Sequence, residues 1–297
     1  MLKLEGLKLT PEEKEAALHR KAARLLRIPE EDVLSVQVLR RSIDAREELH
    51  LVYTVAAEVR QEKQVLRRCR DRRVSRYAPE RYALPEILSP PEVPPVVVGA
   101  GPGGLFAALV LARCGLRPIL LERGGSVEER KEAVETFWKG GKLDPQCNVQ
   151  FGEGGAGTFS DGKLNTLVKD VSGRNGEVLR IFAEFGADPS ICYVNKPHIG
   201  TDVLSQVVSR MRNEIIRLGG QVRFHACVTD FLIEEGTDGS RQLKGVVVNG
   251  TEQLDTSAAV LAVGHSARDT FEVLHQKKVA MEPKAFAVGL RIQHPQD

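Results

Sequence analysis

Residues 95–123 read PVVVGAGPGGLFAALVLARCGLRPILLER, and this stretch decides the fold. Val96, Val97 and Val98 are consecutive β-branched residues, the composition of a strand buried on both faces. Gly99-Ala100-Gly101-Pro102-Gly103-Gly104 follows without a gap. In a strand-to-helix turn of this kind each glycine has a separate task. Gly99 permits the tight turn, Gly101 lets the backbone approach a pyrophosphate, and Gly104 lets the helix pack against the sheet. Leu105, Ala108, Leu109 and Ala112 give that helix an apolar face, and Gly115 ends it. Its first amides point at the phosphates. Ile119, Leu120 and Leu121 form a second strand, and Glu122 closes it. From that position a carboxylate meets ribose hydroxyls. Strand, helix, second strand and terminal acid agree on a dinucleotide-binding unit. The acid disfavours NADP, whose 2′-phosphate it repels, and leaves NAD and FAD both open.

Two later segments bear on that choice. Residues 147–164 read CNVQFGEGGAGTFSDGKL, a second glycine loop with no fresh strand-helix-strand unit and acid of its own. Such a loop suits a large planar cofactor. Gly154, Gly155, Ala156 and Gly157 allow close contact, and Thr158, Ser160, Asp161 and Lys163 offer side-chain partners. Further on, residues 202–218 read as a helix ending at Gly219-Gly220. Val222 to Ala226 reads as a strand. Residues 227–234, 243–249 and 253–255 read as a β-meander. Ala258 to Ala267 reads as a buried strand carrying Gly264.

The flanks are different in kind. Six prolines between Tyr77 and Pro95 mark a stiff linker and a domain boundary. Before it, Leu2 and Leu4 open a strand, and Thr10-Pro11-Glu12-Glu13 has the form of a capping box ahead of a helix carrying Leu18, Ala22, Leu25 and Leu26. Val33 to Leu39 and Leu49 to Ala57 read as strands, and residues 61–68 as a closing helix, giving a small βαββα unit. Nine Lys or Arg against three acids between Arg60 and Arg81 form a basic run. A solvated face explains it better than an RNA surface, because no interleaved aromatic pattern accompanies it.

The whole chain of 297 residues has 42 Lys plus Arg against 40 Asp plus Glu, a balance that argues against global nucleic-acid or membrane binding. No window approaches the length of a membrane span. The start, MLKLEGLKLTPEEKE, lacks the apolar core of a secretory signal, so a cytoplasmic location is expected. The five cysteines are scattered, with no C-x-x-C or Cys/His cluster, so neither a metal site nor a disulfide framework is expected.

The order strand, helix, strand, meander, strand-with-glycine resembles the glutathione-reductase and fumarate-reductase superfamily of flavoproteins over residues 95–268. More narrowly, VQFGEGGAGTFSDGKLNT at 149–166, LAVGHSARDTF at 261–271 and SIDAREELHLVYTV at 42–55 resemble the bacterial family of uncharacterised FAD-dependent dehydrogenases. The resemblance implies an α/β chain: a small α+β domain at 1–77, a linker at 78–95, and a Rossmann-like FAD-binding domain with an inserted β-meander at 96–283. It implies FAD held at Gly99, Gly101, Pro102, Gly103 and Gly104, with Glu122 and Arg123 at the adenosine ribose. Val228 and Gly264 take backbone positions against the cofactor, and the loop from Gly154 to Lys163 runs by the flavin. The Gly-Asp motif and last strand expected of such domains find no match. The chain therefore reads as stopping within a substrate domain that opens with a strand over 284–292, so that a C-terminal segment or partner chain is needed to complete the fold.

For chemistry, Lys163, His265 and Cys147 are the candidates, each with a bland alternative: a surface lysine, a structural histidine and an inert buried thiol. An FAD-dependent oxidoreductase acting on a small molecule is the first reading. Its electrons come from NAD(P)H or directly from substrate, with no dedicated nicotinamide domain. A non-catalytic flavin module whose N-terminal domain contacts RNA or a protein is the alternative.

Overall fold

A computed structural model of the chain describes residues 1–79, 82–159, 162, 164, 170, 172–290, 292 and 294. It opens with an antiparallel sheet of order β2-β3-β1-β4, built from β1 (Leu2–Leu9), β2 (Val33–Asp44), β3 (His50–Val59) and β4 (Val74–Arg76). Leu2, Leu4, Leu7 and Leu9 all face the core, although strict alternation would turn the second pair outward. A register shift between Leu4 and Leu7, with Gly6 at φ 72°, inserts the residue that restores the inward face. Helix α1 (Ala17–Leu26) lays Leu18, Ala22 and Leu26 on this sheet, and α2 (Glu62–Arg68) adds Val65. Each such aliphatic side chain contributes about 1.5–3 kcal/mol on full burial.

Four expectations for this region change. The helix starts at Ala17, with no side-chain cap. The Glu13 amide bonds the Thr10 carbonyl rather than its hydroxyl, so residues 10–13 make a turn. The Glu13 carboxylate, which accepts the Thr10 amide at 3.0 Å, also holds Lys21 at 2.7 Å. Strand β2 continues five residues beyond Leu39, because Arg41 to Asp44 pair with β3 while their polar side chains hide the apolar alternation. The basic stretch after α2 supplies β4, which pairs with β1, so the unit is βαββαβ.

The second sheet is parallel throughout, in the order β11-β5-β6-β7. It comprises β5 (Val96–Val98), β6 (Ile119–Leu121), β7 (Gln221–Arg223) and β11 (Ala259–Leu261). Period-two alternation divides its residues between two cores. Val97 and Leu120 pack with helices α3 (Pro102–Arg113), α5 (Arg174–Glu184) and α6 (Thr201–Arg217). Val96, Val98, Ile119 and Leu121 pack against the antiparallel meander of β8 (Val228–Glu235), β9 (Arg241–Val248) and β10 (Glu252–Asp255), and against α7 (Arg268–Gln276). Helix α4 (Val127–Trp138) follows β6 and carries a full capping box between Ser126 and Glu129.

Here too the structure corrects the sequence. Strand β7 stops at Arg223 because His225 takes φ 51° and turns the chain. The strand expected over 258–267 is only three residues long and is not buried: Val260 is 39% and Leu261 43% exposed. It is an edge strand, paired on one side only with β5. Residues 284–290, expected to open a strand, carry no regular secondary structure. Strand β2 also meets the segment after Cys192, where the Arg41 amide donates to the Tyr193 carbonyl at 2.7 Å and the Asn195 amide to the Arg41 carbonyl at 3.1 Å.

Candidate functional site

The turn out of β5 is built as its glycines require. Gly99 has φ 98°, and a Cβ there would lie 2.5 Å from the Ala262 carbonyl oxygen. A Cβ on Gly104 would run into the Gly99 carbonyl oxygen. Gly101 is the N-cap of α3 and Pro102 its first residue. That leaves the amides of Gly103 and Gly104 in the first turn, where no intrahelical acceptor exists.

In front of this helix end lies a cavity of about 400 Å³, within the size range of small-ligand sites. Gly99, Gly101, Pro102 and Gly103 form one wall, and Glu122, Arg123 and Val228 another. Gly155 and Ala156, together with Gln150, Phe151 and Gly152, close it from the second glycine loop. Gly264 and His265 also line it. The two glycine loops, some fifty residues apart, are in direct contact: the Gly154 amide donates to the Ala100 carbonyl at 2.8 Å. A Cβ on Gly155 would stand 2.8 Å from the Pro102 ring.

Glu122 holds this arrangement together. It is 4% exposed. Its Oε2 accepts the Ala100 amide at 2.7 Å, and its Oε1 accepts the amides of Gly124 and Gly152, both at 2.9 Å. A carboxylate offers about four acceptor positions, so three are committed to backbone and one, on Oε2, remains for a ligand. Arg123 is fixed beside it. Its guanidinium pairs with Asp269 at 2.9 Å and lies 4.5 Å from the Phe151 ring centre.

The second loop owes its shape to a residue that no sequence motif singled out. Arg130 is wholly buried on α4. It donates to the carbonyls of Asn148, Val149, Glu153 and Gly155 at 2.6–2.8 Å, and to the Thr158 hydroxyl at 3.0 Å. Burial pushes its pKa down to about 10, which leaves it charged at neutral pH. Gly154 and Thr158 therefore serve the loop's own packing rather than the cavity wall: a Cβ on Gly154 would strike the Thr158 methyl. Gly157 packs toward Leu204. Ser160, Asp161 and Lys163 lie outside the described residues.

Glu153 is also fully buried. Its Oε2 accepts the Val127 amide at 2.8 Å and Arg212 at 2.7 Å, while Oε1 has no partner among the described residues. Burial pushes its carboxyl up to about 7. The signal for both groups was in the sequence. Val127, Arg130 and Val134 share one helical face, so the arginine occupies a core position of α4, and Glu153 interrupts a run of glycines.

Of the remaining candidates, Cys147 is buried outside the cavity wall, and its sulfur accepts the Gly125 amide at 3.4 Å. Burial pushes its thiol pKa up, which keeps it protonated and a poor nucleophile. His265 lines the cavity and is exposed, with its Nε2 3.4 Å from the Ser266 hydroxyl. Among the described residues no helix is long and apolar enough to cross a membrane.

Residues 1–60 match a family model described as a domain of unknown function, DUF8436. A protein of Clostridium beijerinckii, described as uncharacterized, is 42% identical over 301 residues, covering all of this chain and 55% of that protein. Aklavinone 12-hydroxylase DnrF of Streptomyces peucetius is 36% identical over 104 residues, or 33% of this chain and 20% of that protein. The chain thus spans about half the length of the first of these relatives and a fifth of the second. Among solved structures, Thermovibrio ammonificans THI4 is similar at 18% identity and TM-score 0.42, over 63% of this chain and 64% of that one. An OTEMO complex with FAD and NADP is similar at 17% identity and TM-score 0.35, over 59% and 26%.

Proposed function

We propose that this chain binds FAD in the cavity at the head of α3 and belongs to an FAD-dependent oxidoreductase acting on a small organic molecule. The observation that carries the reading is the Glu122 carboxylate, at the end of β6 beside the glycine turn, which lines the cavity and has more acceptor positions than the three backbone amides it binds. The fit can be judged from the chain itself. Gly99 and Gly104 cannot carry a side chain, and Gly101 presents its bare backbone to the cavity. Helix α3 directs its first-turn amides, and the positive end of its dipole, toward the same space. These features suit a diphosphate bridge with a ribose beyond it.

In this reading Gly101, Pro102 and Gly103 hold the pyrophosphate, Glu122 takes a ribose hydroxyl, and Val228 borders the adenine. FAD, when bound, supplies two-electron redox chemistry. The chain's part is to place it and exclude water. Gly155 and Ala156 lie against the fingerprint turn, so a ring system continuing from the diphosphate runs along the second glycine loop, which favours FAD over NAD. Arg130 pre-forms that loop, so its backbone is not left to order on binding. A relative described as a hydroxylase supports oxidoreductase chemistry. NAD(P)H as electron donor and a dehydrogenase type of reaction remain part of the same proposal.

The test is purification with excess FAD, followed by a visible spectrum of the desalted protein and reduction trials with NADH and NADPH. Retained flavin absorbance that bleaches with either donor supports the proposal. A colourless protein, with FAD and without, contradicts it.

A further inference from the structure

A second cavity lies wholly within the first seventy-one residues, far along the chain from the glycine turn. Its volume is about 830 Å³, twice that of the cavity in front of α3. Its walls come from the end of α1, the turn into β2, and both ends of α2. They bring Arg27, Arg60, Arg68 and Arg70 together with Asp32 and Asp71.

The acids in this wall are already matched. Asp71 forms a two-pronged pair with Arg73, at 2.7 and 3.0 Å, and those hydrogen bonds hold its carboxyl down at about 2. Asp32 has Arg60 at 3.6 Å. Arg27, Arg68 and Arg70 are left with no hydrogen bond or ion pair from their guanidinium groups to any described residue. Arg27 acts on Asp71 by Coulomb attraction alone, and Arg68 and Arg70 have no partner among the described residues, so the cavity carries more positive than negative charge and suits an anion. Its aliphatic lining comes from the half-buried Leu25 and Ile28, with the core residues Leu26 and Val65 adding little surface.

The backbone is unusual at this place as well. Arg27 (φ 57°) and Gln61 (φ 54°) are non-glycine residues in the left-handed region, and both border the cavity. Arg27 is the left-handed C-cap that ends α1, and Gln61 the N-cap that opens α2, so both helix ends turn the chain at the cavity rim.

We propose that this cavity binds a small ligand of the nucleoside polyphosphate class, with Arg27, Arg68 and Arg70 taking the phosphates and the aliphatic lining taking the base and sugar. Planar guanidinium groups pair with phosphate oxygens two at a time. The aliphatic lining gives a nucleoside body a surface that inorganic polyphosphate cannot use. This site is separate from the proposed FAD site and does not depend on it.

The experiment is calorimetric titration of the full chain with UTP, inorganic tripolyphosphate and single-stranded oligouridylate. It is run on the wild type, on Arg68→Ala/Arg70→Ala, and on Gly101→Asp, which blocks the cavity in front of α3. UTP is expected to bind at one site per chain in the wild type and equally in Gly101→Asp. In the double variant it binds about tenfold weaker or worse, the scale of lost charge-assisted bonds. Tripolyphosphate binds more weakly than UTP. Both arginines are exposed and have no partner among the described residues, so their truncation leaves the thermal midpoint unchanged and separates loss of binding from loss of fold. Any of five results overturns the proposal: no saturable UTP binding, UTP binding unaffected by the double variant, UTP binding lost in Gly101→Asp, tripolyphosphate binding as tightly as UTP, or oligouridylate binding tighter than UTP, which makes this face an RNA surface.

Discussion

The Glu122 carboxylate receives the Gly152 amide at 2.9 Å, linking the end of strand β6 to a loop thirty positions later in the chain. With the Ala100 and Gly124 amides on the same carboxylate, one buried acid fixes three backbone segments around one cavity. The acid proposed to take a ribose hydroxyl therefore also holds the protein's own backbone.

Glu122→Ala is expected to leave three buried amides without acceptors, at a cost of about 1–3 kcal/mol for each group left unsatisfied. Glu122→Gln keeps Oε1 as an acceptor but turns the other arm into a donor facing the Ala100 amide. Chemical denaturation is predicted to order the proteins wild type, Gln, Ala in falling stability, with FAD affinity falling in the same order. An alanine variant as stable as the wild type contradicts the clamp.

Gly104→Ala and Gly101→Asp separate folding from binding. The first drives a methyl group into the Gly99 carbonyl and is predicted to destabilise the parallel sheet by several kcal/mol, about the upper range for single substitutions. The second has room, since the nearest atom to a Cβ at Gly101 is the Gly155 Cα at 3.9 Å. It is expected to fold normally, and its carboxylate repels a diphosphate. Thermal melts distinguish the two. Equal melting of both variants argues against the packing described for Gly104.

Burial, with the Glu128 and Glu122 carboxylates nearby, keeps the Glu153 carboxyl protonated up to about pH 7, above its ordinary 4.5, and its Oε1 has no partner among the described residues. The folded state then holds a proton that the unfolded state releases, so stability falls as pH rises through this window. The loss amounts to about 3 kcal/mol by the upper end. Arg212, which also bonds Glu128 and Ser209, faces Glu153 and favours its charged form, while the carboxylates of Glu128 and Glu122 oppose it, and the Arg130 guanidinium bonds the Glu153 carbonyl. Glu153→Gln is predicted to flatten the decline, so that the variant gains on the wild type at pH 8 and not at pH 4. Parallel stability curves over that range count against a raised Glu153.

Arg130→Met removes five hydrogen bonds and strands four loop carbonyls. A cost of about 3–5 kcal/mol is expected, as for other buried charge networks broken on one side. The loss is local first: hydrogen exchange and proteolytic cutting should rise over residues 146–159 before the rest of the chain responds. Unchanged protection there contradicts the role given to Arg130.

The glycine turn, its helix and Glu122 were readable because the whole device is contiguous, and each residue's task follows from backbone sterics. What depended on distant partners was not. β11 looked buried because Ala258 to Val263 is apolar, but burial of a strand is set by how many neighbours it pairs with, and it pairs with one. The Thr10-x-x-Glu13 and Ser126-x-x-Glu129 spacings carry the same signature, yet only the second caps a helix. Around Thr10, pairing of Glu13 with Lys21 and the turn back from β1 decide the local structure instead. Arg130 was hidden because its partners are backbone carbonyls, which no side-chain motif announces.

The most direct test of the account compares retained FAD in the wild-type chain and Gly101→Asp, measured as flavin absorbance per chain after desalting, with far-ultraviolet circular dichroism on both. The account predicts saturable FAD binding by the wild type and none by the variant, with superimposable dichroism spectra. Equal flavin retention by the two proteins places the cofactor somewhere other than the turn between Gly99 and Gly104 and contradicts the central claim.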